Sequence, residues 1–287
     1  VFKDLQIEQP KLIGNKRKQS DVDRAAIANI SDFLRWTGEL AHNWSDEAPI
    51  ALRAGGLGTR DLKRTAEHLG IDENCTAFVA ELLYLAGLIV IDADDSILPT
   101  SAFDVWLTRS HEERWHNLVT LWFETSRVAG LIGKAEQKTI APLGPEIDRA
   151  GISSLRKKTI STLSNNLEID PAPESIAEVI KWLSPQRFNQ DYLVWILREA
   201  EWLGITGQGA ISAFGKALIN DEDESEEPKS IDIVAVVQTG LIDELNRELK
   251  ESFDGKLELH KPSDDFQKAG IEHRLATIPA EILTRAM

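Results

Sequence analysis

Two stretches of the chain set glycine beside a basic side chain in the manner of a phosphate-binding loop. They are AGGLGTRD, residues 54 to 61, and AISAFGKA, residues 210 to 217. A loop of the G-x-x-x-x-G-K-[ST] type wraps phosphates in backbone N–H groups and neutralises them with its lysine. The first stretch has neither lysine nor hydroxyl in the required places. The second begins with Ala210 where the motif needs glycine and ends with Ala217 where it needs Ser or Thr. Both follow a helical pattern instead of joining a strand to a helix. Gly55, Gly56 and Gly58 are therefore read as permitting a tight turn, with Thr59 capping a helix that starts at Arg60. No ATP site is expected.

HEERWH, residues 111 to 116, approaches the zinc helix H-E-x-x-H but puts Trp115 where the second imidazole belongs. His116 then lies about 100° further round the helix, so the two rings do not face one metal. His42, His68, His260 and His273 are scattered and pair with no cysteine. There is no G-x-S-x-G nucleophile elbow. The sequence thus advertises no catalytic residue, no metal site and no cofactor, and the chain is not expected to be an enzyme.

Cations that could touch nucleic-acid phosphates fall in three groups: Arg53, Arg60, Lys63 and Arg64; Arg156, Lys157 and Lys158; and Lys16, Arg17 and Lys18. They are equally readable as solvated faces. Against them stands a net charge of −15, part of it concentrated in DEDESEE, residues 221 to 227. A field of that sign repels nucleic acid and anionic membranes at long range. The acidic run reads as a solvated linker, with an acidic tail that mimics nucleic acid as the alternative. Eight tryptophans could stack on bases, but Trp115 with Trp122 and Trp195 with Trp202 sit at core spacing within helices.

The elements that would carry these residues are mostly helical. Residues 21 to 44 show apolar positions at helical intervals, and DENCTAFVAELLYLAG forms an apolar face that stops at Gly87. LIVIDADDSILPT reads as a short hairpin, Ser101 caps AFDVWL, and residues 111 to 125 make another helix. The pattern then returns with helices at 152 to 163, 174 to 183 and 190 to 204, the short ITGQGAI turn and strand, and a helix from SAFGKAL. Gly87-Leu88 matches Gly204-Ile205, and Ser-Ala-Phe recurs at 101 to 103 and 212 to 214. Three helices and a hairpin make the winged-helix plan, and two such units are expected.

The expected organisation is an N-terminal segment and helix over 1–45, a first winged-helix unit with a following helix over 46–150, and a second unit over 151–220. An acidic linker over 221–229 and a small α+β module over 230–287 complete it, the last from SIDIVAVVQ, GLIDELNRELKESF and PAEILTRAM. The fold class is mainly α. In helix-turn-helix docking the second helix of the pair enters the major groove. In the first unit that helix carries Asp72, Glu73 and Glu81 and no Lys or Arg; in the second, Arg187, Asn189, Gln190 and Arg198 face Asp191, Glu199 and Glu201. One cysteine, Cys75, suits a reducing cytoplasm, and no apolar run approaches the ~18 residues a membrane helix needs. The chain opens without methionine and reads as part of something longer.

With these segments on the page, the chain resembles the actinobacterial helicase-associated proteins related to the N-terminal region of XPB-type helicases. The likeness is carried by LRAGGLGTRDLKRTAEHLGIDE, AELLYLAGLI, LPTSAFDVWL, ERWHNLVTLWF and LREAEWLGITGQGAISAFGKALI, between about residues 50 and 220, and more weakly by HRLATIPAEILTRA. The resemblance implies winged-helix modules in a DNA-repair or transcription setting, with DNA, a helicase or a repair or transcription protein as partner. Two functions follow as expectations: weak, largely sequence-independent DNA association, or a protein–protein scaffold that never meets DNA. One contiguous basic stripe on the folded surface would favour the first; dispersed charge would favour the second.

Overall fold

The computed structural model describes residues 9–133 and 140–223. The expected C-terminal module and most of the acidic linker lie outside them. Among the described residues the protein is mainly helical, with nine α-helices and three small two-stranded antiparallel sheets.

Strand β1 (Gly14–Lys16) leads into α1 (Gln19–Asp46), the longest helix. Its inward positions, Val22, Ala26, Ile30, Phe33, Leu40 and Trp44 among them, recur every three or four residues and draw one stripe along 28 residues. A short extended piece at Pro49–Ala51 follows, then the glycine turn and α2 (Thr59–Leu69), which stops at left-handed Gly70. Asp72 caps α3 (Glu73–Leu85), its side chain accepting from the N–H groups of Asn74 and Cys75. Gly87, at φ +67°, turns the chain into the hairpin β2 (Ile89–Ile91) and β3 (Ile97–Pro99). Ile50 makes an isolated antiparallel bridge to Ser96, which sets the extended piece beside β3.

Next come α4 (Ser101–Leu107) and α5 (His111–Glu124), the latter opened by a reciprocal capping box between Ser110 and Glu113. A connecting stretch with two short 3-10 turns, Ala129–Leu131 and Pro145–Ile147, leads to the second run of elements. These are α6 (Ile152–Ser164), β4 (Ile169–Pro171), α7 (Pro173–Leu183), α8 (Gln190–Trp202), the hairpin β5 (Thr206–Gly207) and β6 (Ala210–Ile211), and α9 (Ala213–Asp223). The order helix, extended piece, helix, helix, hairpin therefore occurs twice: α1 to β3, and α6 to β6.

The two runs share one apolar core that extends from Ala26 to Phe214. Helix α1 packs against α2, α3 and β3 and also against α8 and β5, and β1 pairs with β4, Asn15 opposite Asp170. The segment 1–45 expected from the sequence ends one residue before the end of α1, whose apolar stripe packs against both runs. Two caps also differ from expectation. Thr59 is the first residue of α2, whose N-cap is Gly58, and Thr100 rather than Ser101 precedes α4, its hydroxyl bonding the carbonyl of Gly87. Trp44, Trp106, Trp115, Trp122 and Trp195 are buried, whereas Trp182 is exposed.

Candidate interaction surfaces

The glycine turn has no phosphate cradle to offer. Three of its N–H groups already donate within the protein: Leu52 to Gly56 O, Gly55 to Leu52 O and Leu57 to Pro142 O. Gly55 and Gly56 have φ of +85° and +92°, and a Cβ on Gly56 would overlap the backbone of Pro142 and Gly144. The glycines allow a left-handed turn pressed against the 140–145 segment. AISAFGKA is likewise absorbed: the Ser212 hydroxyl donates to the carbonyl region of Gly204 and Ile205 and accepts from Gly215 N–H, which fixes the hairpin to α9. Among the described residues no cluster of three or more His, Cys, Asp or Glu could hold a metal, and no helix is long and apolar enough to cross a membrane.

The candidate cations separate into three kinds. Arg53, in the glycine turn, and Arg60, in the first turn of α2, are exposed with no acid paired to either among the described residues. Lys63 and Arg64 are exposed but answered by carboxylates, Lys63 by Glu67 at 4.0 Å and Arg64 by Asp61 at 3.1 Å and Glu47 at 3.7 Å. On α6, Lys158 Nζ donates to the last-turn carbonyl of Leu183 at 2.9 Å, capping α7, and Lys157 is half-buried. Near the N-terminus Arg17 pairs with Asp170 at 2.7 Å while Lys16 and Lys18 stay exposed. Among the described residues these cations lie on three stretches of the chain, 16–18, 53–64 and 156–158.

Arg156 corrects the sequence-based expectation outright. It is 1% exposed and reaches no solvent phosphate. Its guanidinium donates to the carbonyls of Trp122, Thr125 and Arg127 at 3.0, 2.7 and 2.7 Å and lies 3.4 Å from the carboxylate of Glu199, also 1% exposed. That carboxylate accepts from Trp122 Nε1 at 2.6 Å. Burial raises the pKa of Glu199, opposed by the field of Arg156, and burial lowers that of Arg156. A second buried pair lies beside the first. Arg127 grips Glu81 through Nε and Nη2, and Glu81 also accepts from Leu143 N–H. Burial opposes the Arg127 charge, but the hydrogen bond and field of Glu81 prevail and raise its pKa. These carboxylates were readable in sequence only as acids that would repel DNA. A signal was available in Glu81, an acid inside the apolar run FVAELLYLAG. Nothing comparable marks Arg156, which sits in a basic triplet.

The elements that a groove-reading module would present are differently disposed in the two runs. In α3 every residue from Cys75 to Leu83 is buried, with Phe78 5.6 Å from Phe33 and 5.7 Å from Trp202, ring to ring. In α8, Gln190, Asp191, Val194 and Arg198 face outward. Most polar groups there have structural partners. Asn189 caps the helix, Arg187 bonds Ser154 Oγ, and Glu201 takes hydrogen bonds from Thr206 Oγ1 and Gly209 N–H. Arg198 lies over Trp195 and Trp202 at 5.4 and 5.0 Å and reaches Asp72 at 3.5 Å. The hairpins show the reverse disposition. The β2–β3 turn is exposed and carries Asp92, Asp94 and Asp95, whereas β5–β6 is buried, and a Cβ on Gly207 would strike the α1 backbone at Val22 and Ala26.

Compared with protein-family models, with curated proteins and with solved structures, the chain matches none.

Proposed function

We propose that the protein is a non-catalytic docking module for a protein partner, built of two winged-helix units fused through a shared core. One observation carries this reading: the helix of the first unit that would enter a DNA groove is buried from Cys75 to Leu83 and begins with exposed acids, and the hairpin of the second unit that would flank DNA is packed on α1. The groove-entering surface of each unit is thus incomplete. The exposed hairpin of the first unit bears three aspartates, which oppose phosphate contact. A net charge of −15 fits a protein partner better than a polyanion. That this partner is a helicase or a repair or transcription protein rests on the sequence resemblance alone.

DNA association remains a second reading because Arg53 and Arg60 stand unpaired in the glycine turn and the first turn of α2. Titration of the protein with labelled duplex and single-stranded DNA across salt decides between them. No saturable binding at 50 mM salt is the expected result. Four phosphate contacts by Arg53, Arg60, Lys63 and Arg64 would give a log–log salt slope of about −3.6, and two contacts about −1.8. A slope of either size that flattens in Arg60→Ala/Lys63→Ala replaces the docking reading with the DNA one.

A further inference from the structure

The outer face of the first hairpin is the surface on which a partner would sit, and the inference rests on the docking reading above. Ile89 and Ile97 are buried, so their strand neighbours Val90 and Leu98, which pair directly, point outward. Ser96 is two residues from Leu98 and shares its face. Ile50 opposes Ser96, flanked by the bonds Ile97 N to Pro49 O and Ala51 N to Asp95 O, so it faces outward too. Ala51 is buried and Leu52 turns out again. Alternation therefore aligns Ile50, Leu98 and Val90 across the bridged extended piece and the two strands, with Leu52 beyond them at the glycine turn.

Leu98 is half-buried and the other three are uncovered. Of the eight large apolar side chains left exposed among the described residues, Ile50 (56%), Leu52 (44%) and Val90 (43%) gather here. A hairpin face that served only as a solvated surface would alternate polar residues outward. The charges bordering this one are mostly negative: Asp46 and Glu47 at the end of α1, and Asp92, Asp94 and Asp95 in the turn, against Arg53 and the Arg64 that lies 3.7 Å from Glu47. Three extended segments about 4.8 Å apart, with a two-residue offset between Ile50 and Leu98, set the ridge ends roughly 12 Å apart. Eight residues of α-helix span about that length.

We propose that this ridge docks an amphipathic helix of a partner protein, with aliphatic residues at i, i+3, i+4 and i+7 flanked by Lys and Arg. The aliphatic stripe covers Ile50, Leu98 and Val90, and the cations meet the aspartates of the turn. The rim sets orientation and on-rate, and the ridge sets residence time.

The probe is a synthetic helical peptide of about four turns with that Leu pattern and Lys and Arg elsewhere, titrated into the full chain by fluorescence anisotropy. Micromolar binding is expected. It should weaken at least tenfold in Ile50→Ser/Val90→Ser, and equally when the peptide's leucines become serine. Asp94→Asn/Asp95→Asn should reduce its salt dependence while leaving high-salt affinity unchanged. Circular dichroism verifies that these surface variants fold. No binding at several hundred micromolar, or binding indifferent to Ile50→Ser/Val90→Ser, overturns the proposal. So does a dimer seen by sedimentation that the same double variant abolishes, since the ridge then belongs to a second copy. The DNA titration reports separately: a silent peptide with silent DNA removes this surface but leaves protein docking standing, whereas DNA binding through α2 removes the docking reading itself.

Discussion

The two runs of elements have the same order of parts and opposite exposures. In the first, α3 is closed in from Cys75 to Leu83 and the hairpin is free; in the second, the hairpin is closed in and α8 keeps an outward face. The exchange has a single structural origin. Helix α1 belongs by order to the first run, yet it also packs on α8 and β5, and the connecting stretch after α5 covers α3 with Ala129, Leu131 and Leu143. Two units that each need a buried face have satisfied part of that need on one another. The difference teaches that a repeated order of elements does not carry a repeated exposed surface, because the shared core takes up a different part of each run.

The sharpest way to break this comparison is to place a charge on the closed-in part of α3 and on the outward face of α8. Val79 is fully buried in α3 and Val194 is half exposed in α8. Val79→Asp should cost more than ~4 kcal/mol, the range of an unpaired buried charge, and Val194→Asp about 0.5 kcal/mol or less. Urea unfolding measures both. Equal costs would mean that α3 is not closed in.

The joint between the runs comes next in size. Arg156→Met removes the partner of a buried carboxylate and leaves three backbone carbonyls without a donor, so about 3–5 kcal/mol of stability should go. A loss below ~1 kcal/mol, the ordinary figure for a solvated arginine, would return Arg156 to the surface.

The smallest expected effect is in pH. Glu199 has its pKa raised by burial, so the folded state holds this proton to a higher pH than the unfolded chain does. Its contribution to stability therefore falls as pH rises from the unfolded value, about 4.3, through the raised folded value. Glu199→Gln keeps an acceptor for Trp122 Nε1 and cannot titrate. Over that window the native protein should lose stability relative to the variant as pH increases. A gap that widens in the native protein's favour would reverse the sign and mean that pairing with Arg156, not burial, governs the carboxylate.

What the amino-acid sequence determines by itself here is local: the helices, the hairpins and the repeat. Apolar spacing of three and four marks α1, α3, α5 and α8, Gly87 and Gly204 end their helices, and Asp-Asp-Ser announces the turn after β2. These signals survive because they depend on backbone preference and on which side of an element is greasy. Tertiary structure decided which polar residues are free. Arg156 and Lys158 lie two residues apart in the same basic cluster, and one enters the core while the other caps α7. Glu81 and Glu199, read from sequence as surface acids, hold the two buried ion pairs. Charge and spacing are identical whether a side chain meets water or another helix. Only the packing of distant elements fixes its desolvation and its partner, and with them what it can do.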